Sequence, residues 1–490
     1  MSAYRGSGDG RVTARELCAA HIQRSGLVAS EAGLFWLESC PGQARTRLHH
    51  WDGQGCRVLE AGDEGFSSRV NGYGGGILAA LADTVVAVTD SQCLLALDVA
   101  SGRRQVLVEA TGAAWGGLVA DPVRSRVLAV READNRQQLV SVDIQGRCRV
   151  LHQGLDFYSA PALSPCGRWL AWVSWQLPDM PWIHSCLWLT RLNREGMPER
   201  AFPCPAPAPG AVQQPVFAGG SLWVLSDHRG WWQPWRVETD TCVWRQGDTV
   251  PLDHANAPWQ LGERHHCPLP GSGWARVRYR NGCGEFWLAG ADGRETRSGA
   301  SLVYTDFRAL AQWRGQLVCI ARAPDRFDSI VALAPQTGRL QVLAGGERPP
   351  GKPLRWPQSL TVPGAEPVQV FFYEPEGAKV PPPVVIVAHG GPTSAAYPVY
   401  DPGVRFWCQH GFAVAEVNYR GSSGFGRAFR MALAGHWGEH DVADLQRTAR
   451  YLVSQGLVDG QRVFVQGRSA GGYSALMAVA GNSGFCAAGS

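Results

Sequence analysis

The sequence predicts a β-propeller of about seven blades followed by an α/β domain. Three observations carry this. Strand-turn-strand units recur at about 40–50-residue spacing from Gly33 to Gly346. A proline-rich connector, Arg348-Pro349-Pro350-Gly351-Lys352-Pro353, ends that rhythm. Beyond it, apolar strands alternate with helical segments, and the last strand runs into a turn with a serine at its apex.

Bulk properties bound the reading first. A chain of 490 residues is too long for one ordinary core, so two or three domains are expected. Hydrophobic residues at 45% and charged residues at 18% describe a globular protein. A net charge of +4 offers no bulk electrostatic support for a nucleic-acid or anionic-membrane partner. The start, MSAYRGSGDGRVTARELCAA, lacks the apolar stretch of a secretion signal, and no run approaches the roughly 18 apolar residues of a membrane span. The 14 cysteines contain no CxxC pair, which gives no zinc signature and reads as small buried hydrophobes in a reducing cytoplasm. No cofactor or metal is implied, and homo-oligomerisation stays open.

In chain order, residues 1–30 are read as a helical segment. TARELCAAHIQRS carries Thr13 as a cap and Glu16 three positions on. Residues 31–350 are read as the propeller, with units such as TVVAVTD…CLLALDVASGRRQVLVEA and GQLVCIARAPDRFDSIVALAPQTGRLQVLAG. Trp172, Trp175, Trp182, Trp188, Trp223, Trp231, Trp232 and Trp235 crowd into two or three blades and are assigned to blade packing, some of them alternatively to a peptide channel. His265-His266-Cys267 resembles a metal cluster only superficially, because neighbours on a strand point to opposite faces.

Residues 351–490 form the α/β domain. Three motifs follow successive strands: His389-Gly390-Gly391-Pro392, Asn418-Tyr419-Arg420-Gly421-Ser422, and Gly467-Arg468-Ser469-Ala470-Gly471-Gly472. Open α/β sheets place their ligands at such strand ends. The third is a G-x-S-x-G turn, which lifts a serine hydroxyl clear of an α/β-hydrolase sheet at a helix N-terminus. In that fold the acid and the histidine follow the serine. Only 21 residues follow Ser469, and none is Asp, Glu or His. The hydrolase domain is therefore expected to be incomplete.

With these motifs in view the chain resembles the prolyl oligopeptidase family of serine peptidases, in its acylaminoacyl-peptidase and dipeptidyl-aminopeptidase-like branch. HGGPTSA, FAVAEVNYRGSSGFGRAFR, WGEHDVADLQRTARYLVSQGLVD and GRSAGGY carry the resemblance. Upstream, RVNGYGGG (69–76), FYSAPALSPCGRWLAWVSWQLPDMPW (157–182) and LWVLSDHRGWWQPWRV (222–237) extend it over nearly the whole chain. The resemblance implies Ser469 as nucleophile, the Ala470 N–H as one oxyanion donor and the Tyr419 hydroxyl as the other. It places the catalytic histidine after the serine, which removes His389, His436 and His440 from that role. HGGP then shapes the turn beside the site, while Asp441 and Asp444 start a helix as capping residues. The expected activity is cleavage of short peptides through an acyl-enzyme, with the propeller gating access. A small-ester or amide hydrolase and a non-catalytic propeller binding protein are the alternatives. The missing partners predict a truncated, inactive chain whose nucleophile strand is an open sheet edge.

Overall fold

The structure is a computed structural model that describes residues 13–19, 21–59, 62–218, 220–269, 273–349, 352–375, 377, 380–481 and 485–490. Helix α1 (Ala14–Ala19) comes first and lies against a helix of the C-terminal domain, α2 (Pro402–Gln409). The Thr13 amide and hydroxyl both bond Glu16 Oε2, at 2.8 and 2.7 Å, so the anticipated cap forms.

Seven antiparallel sheets follow, spanning 23–59, 78–108, 114–153, 157–204, 212–246, 266–297 and 306–345. Each is built from consecutive strands, so the ring does not close by exchanging a strand. Closure comes from apolar packing of Leu27, Leu34 and Trp36 against Trp313, Val318 and Ile330, and from the Arg24 amide donating to Asp328 at 3.0 Å. The propeller starts at Gln23, inside the segment expected to be helical, because QRSGLVAS is the edge strand of the first blade on the side of the central cavity. The expected boundary at 350/351 falls outside the described residues; the last blade strand ends at Gly345 and the next domain's first strand begins at Gln358.

Inner blade strands read as nearly continuous apolar runs because neighbouring blades cover both faces. Trp169–Trp175 is the clearest case, with six of its seven residues buried. The tryptophans act as the sequence suggested: Trp172 stacks on Trp188 at 6.2 Å, and Trp223 meets Trp274 of the next blade at 4.8 Å. His265 and His266 both bond Gln214 of the preceding blade, one to its side chain at 3.0 Å and the other to its carbonyl at 2.9 Å. They are inter-blade fasteners. Burial depresses each to about 3.

The C-terminal sheet has the order Gln358–Val362, Val368–Tyr373, Ala413–Asn418, Val384–Ala388, Val463–Gly467, Ala488–Gly489. The first three pair antiparallel and the rest parallel. Val384–Ala388 has its successor in sequence on one side and the serine strand on the other. The order in which strands are added therefore reverses there, opening a crevice at the strand ends. Helices α3 (Gly426–Met431), α4 (His440–Ser454) and α5 (Ala470–Ala480) complete the domain. One expectation is corrected here: the nucleophile strand is not an open edge. Phe464 and Val465 pair with Ala488 and Gly489, and the Gly467 amide donates to Ser490 O at 2.9 Å.

Candidate active site

Ser469 caps α5 with φ 57° and ψ −122°, a left-handed backbone forced on a non-glycine residue. Such strain persists only where the surroundings over-determine it. Here they do. A Cβ at Gly467 would lie 2.0 Å from the Gly471 carbonyl oxygen, and one at Gly471 would lie 2.1 Å from that of Ala388. Strand, turn and helix thus pass at backbone contact, which only glycine permits. The result is an exposed Ser469 side chain beside the N-terminus of α5, whose dipole favours developing negative charge.

Opposite the serine stands Gly390, whose missing Cβ would sit 3.6 Å from Ser469 Cβ. The N–H groups of Gly390 and Ala470 carry no hydrogen bond among the described residues. An N–H from this loop and the N–H after the nucleophile are the two donors that the elbow arrangement uses to hold an oxyanion.

Tyr419 corrects the second oxyanion assignment. It is fully buried, its hydroxyl donates to the His389 carbonyl at 2.7 Å, and its ring stacks on the His389 imidazole at 4.2 Å. Burial raises its pKa far above the phenol range. The hydroxyl is committed to shaping the HGGP loop and bonds nothing on the serine turn among the described residues. His389 is also committed: Nδ1 meets the Gly390 carbonyl at 2.8 Å and Nε2 meets Ser422 Oγ at 2.7 Å. Burial lowers it to about 4, which keeps the imidazole neutral. His440 Nδ1 bonds Ala432 O at 2.8 Å, and His436 reaches Glu439 at 3.4 Å. None of the three hydrogen-bonds to Ser469 among the described residues.

Asp441 and Asp444 hold the frame. Asp441 accepts from the Gly438 amide at 2.7 Å and from Ser474 Oγ, tying α4 to α5. Asp444 does not cap: it is buried and accepts from the Arg420 amide at 2.8 Å and from its guanidinium at 3.0 Å. Asn418, unremarked in the sequence beyond its motif, accepts from the Ala396 amide at 2.7 Å and so fixes the loop after HGGP.

The propeller contributes to the same frame. Asp253 accepts from the amides of Trp232 at 2.8 Å and Gly426 at 2.9 Å. Asp227 bridges Arg427 at 3.0 Å and Arg430, whose guanidinium lies 3.9 Å over the Trp232 ring. The Ala257 amide donates to Ser423 Oγ at 2.9 Å, and Trp259 Nε1 to the Thr393 carbonyl at 2.6 Å. Nothing in single-sequence periodicity marks these residues, because their partners in the other domain lie more than 100 positions away.

The profile of the prolyl oligopeptidase family matches residues 398–489, across the α/β crevice. A Mycobacterium tuberculosis puromycin-hydrolyzing peptidase superposes with TM-score 0.88 at 26% identity, covering 97% of this chain and 78% of that one. The α/β stretch 398–489 belongs to the prolyl oligopeptidase family. A second family structure, puromycin hydrolase, gives TM-score 0.88 at 27% identity over the same shares. Among curated proteins, the acylamino-acid-releasing enzyme of Mus musculus is 37% identical over 99 residues, 20% of this chain and 13% of that protein. Dipeptidyl aminopeptidase BIII of Pseudoxanthomonas mexicana is 32% identical over 136 residues, 26% of this chain and 20% of that protein. The matched stretches thus span a fifth or less of these curated family members.

Proposed function

We propose that this prolyl oligopeptidase family chain carries the nucleophile and oxyanion site of a serine peptidase acting on short peptides. Ser469 Oγ attacks the scissile carbonyl, and the Gly390 and Ala470 N–H groups receive the oxyanion. An acyl-enzyme forms, the amine leaves, and water releases the acyl group. The strained, exposed Ser469 turn is the observation that carries the reading. The relatives' names, acylamino-acid-releasing enzyme, dipeptidyl aminopeptidase and puromycin hydrolase, all support peptide or amide bonds over simple esters as the substrate class. The propeller's central cavity, about 1040 Å³ and reaching Val399 and Tyr400 of the hydrolase, supports a gated approach by small peptides.

No histidine hydrogen-bonds Ser469 among the described residues, so the chain 1–490 turns over slowly unless a base is supplied. Losing the triad histidine in a related serine enzyme lowers turnover by about a millionfold. The test is hydrolysis of a peptide anilide and a p-nitrophenyl ester by the chain with free imidazole added, beside Ser469→Ala. Anilide cleavage that vanishes in the variant supports the reading. Cleavage of the ester alone, or activity that survives the substitution, overturns it. We also propose a cytoplasmic location, supported by buried cysteines that carry no disulfide, Cys204, Cys267 and Cys319 among them. Among those residues no helix is long and apolar enough to cross a membrane.

A further inference from the structure

The chemistry at Ser469 leaves the loop 69–76, RVNGYGGG, unexplained. Asn71 has φ 56°, and Gly72, Gly74, Gly75 and Gly76 are all left-handed. The loop is pinned at many points. The Asn71 amide donates to Glu132 at 2.9 Å, and the Gly117 amide to Gly75 O at 3.0 Å. The Leu261 amide donates to Gly74 O at 2.9 Å. Glycine and asparagine adopt these angles readily, and the hydrogen bonds hold the loop in this one shape. What the loop presents is Tyr73, 56% exposed, on the wall of the central cavity.

Tyr73 does not stand alone. Its ring meets Trp259 edge-on at 4.8 Å, and Trp259 meets Trp182 at 4.5 Å. Trp259 is in turn hydrogen-bonded to Thr393 of the active-site loop at 2.6 Å. Thr393 lies three residues from Gly390, a reach of at most about 11 Å of extended chain. An exposed aromatic ring braced on two others, and tied to the loop beside the nucleophile, offers flat apolar area at little entropic cost. These linked contacts put the ring within the reach of a side chain no more than about seven extended residues from the scissile bond.

We propose that Tyr73, backed by Trp259 and Trp182, is a specificity-determining platform that binds an apolar or aromatic side chain of the peptide substrate. The proposal rests on the peptidase reading for its ligand. The test is calorimetric binding of a Gly/Ala hexapeptide amide to the full chain, with phenylalanine walked through its positions. One position binds about tenfold tighter than the parent peptide, in the range that apolar pockets discriminate. Tyr73→Ala brings that position to within twofold of the parent peptide measured on the same variant, and Tyr73→Phe keeps the preference. A phenylalanine preference that persists in Tyr73→Ala, or none in the wild type, overturns the platform. Fluorophosphonate labelling of Ser469, run alongside with imidazole, separates the two ideas. Unlabelled protein that still discriminates peptides upholds the platform and removes the serine chemistry. Labelled protein without discrimination does the reverse.

Discussion

Gly471 and Gly472 are neighbours in the first turn of α5, and the structure predicts opposite signs for the same substitution. At Gly471 a Cβ would sit 2.1 Å from the Ala388 carbonyl oxygen and 2.7 Å from that of His389. Both are backbone atoms at the central strand's end, and both lie well inside the ordinary contact of about 3.5 Å. Strand and helix must separate, and overpacking of this kind destabilises by about 1–3 kcal/mol or more. The shift also moves Ser469 against Gly390, and a displacement near 1 Å is worth about a hundredfold in rate. At Gly472 the nearest atom to a Cβ is 3.4 Å away, an ordinary contact. There alanine gains helix propensity, about 0.5–1 kcal/mol. Urea unfolding and the rate of fluorophosphonate labelling measure both effects. Gly471→Ala with wild-type stability and labelling would refute the close-passage account of the elbow.

Three further outcomes follow from named contacts. Tyr419→Phe removes one hydrogen bond to His389 O, destabilising by about 1 kcal/mol, yet labelling at Ser469 slows far less than the roughly hundredfold that loss of a direct oxyanion donor brings. A hundredfold slowing with unchanged stability would return the donor role to the tyrosine. Asp227→Ala strands the buried Arg430 guanidinium and lowers stability by about 3–5 kcal/mol; a change below about 1 kcal/mol would show that the inter-domain ion cluster is not holding. His265 and His266 are held neutral to about 3 and His389 to about 4, all by burial. The unfolded chain binds protons below its ordinary histidine pKa near 6.5 while the folded chain does not. Stability is therefore full above that value and falls as pH drops, by up to about 1.4 kcal/mol per group per pH unit. Unfolding midpoints that stay level between pH 7 and pH 4.5 would contradict this.

Much of the architecture was legible because it is written locally. Blade strands announce themselves by apolar runs between Gly and Asp turns, and the elbow by G-x-S-x-G, whose φ 57° serine is what that spacing demands. The start of the propeller was missed because QRSGLVAS is polar on its outward side and follows a genuine helix-cap signal at Thr13. The Tyr419 role was misassigned for a different reason. Motif order placed the ring beside the crevice, but not the direction of its hydroxyl, which turns inward to His389 O. The inter-domain contacts of Asp227, Asp253 and Trp259 were invisible, since a polar contact to a residue 134 to 200 positions away leaves no periodic trace. Helix α5 shows a surface likewise unmarked by periodicity: Tyr473, Leu476, Met477 and Val479 are exposed on a helix that is apolar all round.

The central claim is that Ser469 is a positioned nucleophile without a histidine base hydrogen-bonded to it. Its most direct test is fluorophosphonate labelling of the chain over a series of free imidazole concentrations, with the adduct located by peptide mass mapping. The account predicts a single adduct on Ser469, slow without imidazole, faster in proportion to it, and absent in Ser469→Ala. Rapid labelling indifferent to imidazole would show that a base within the chain already serves the serine. No adduct at any imidazole concentration, or one that survives the substitution, would remove Ser469 from the chemistry.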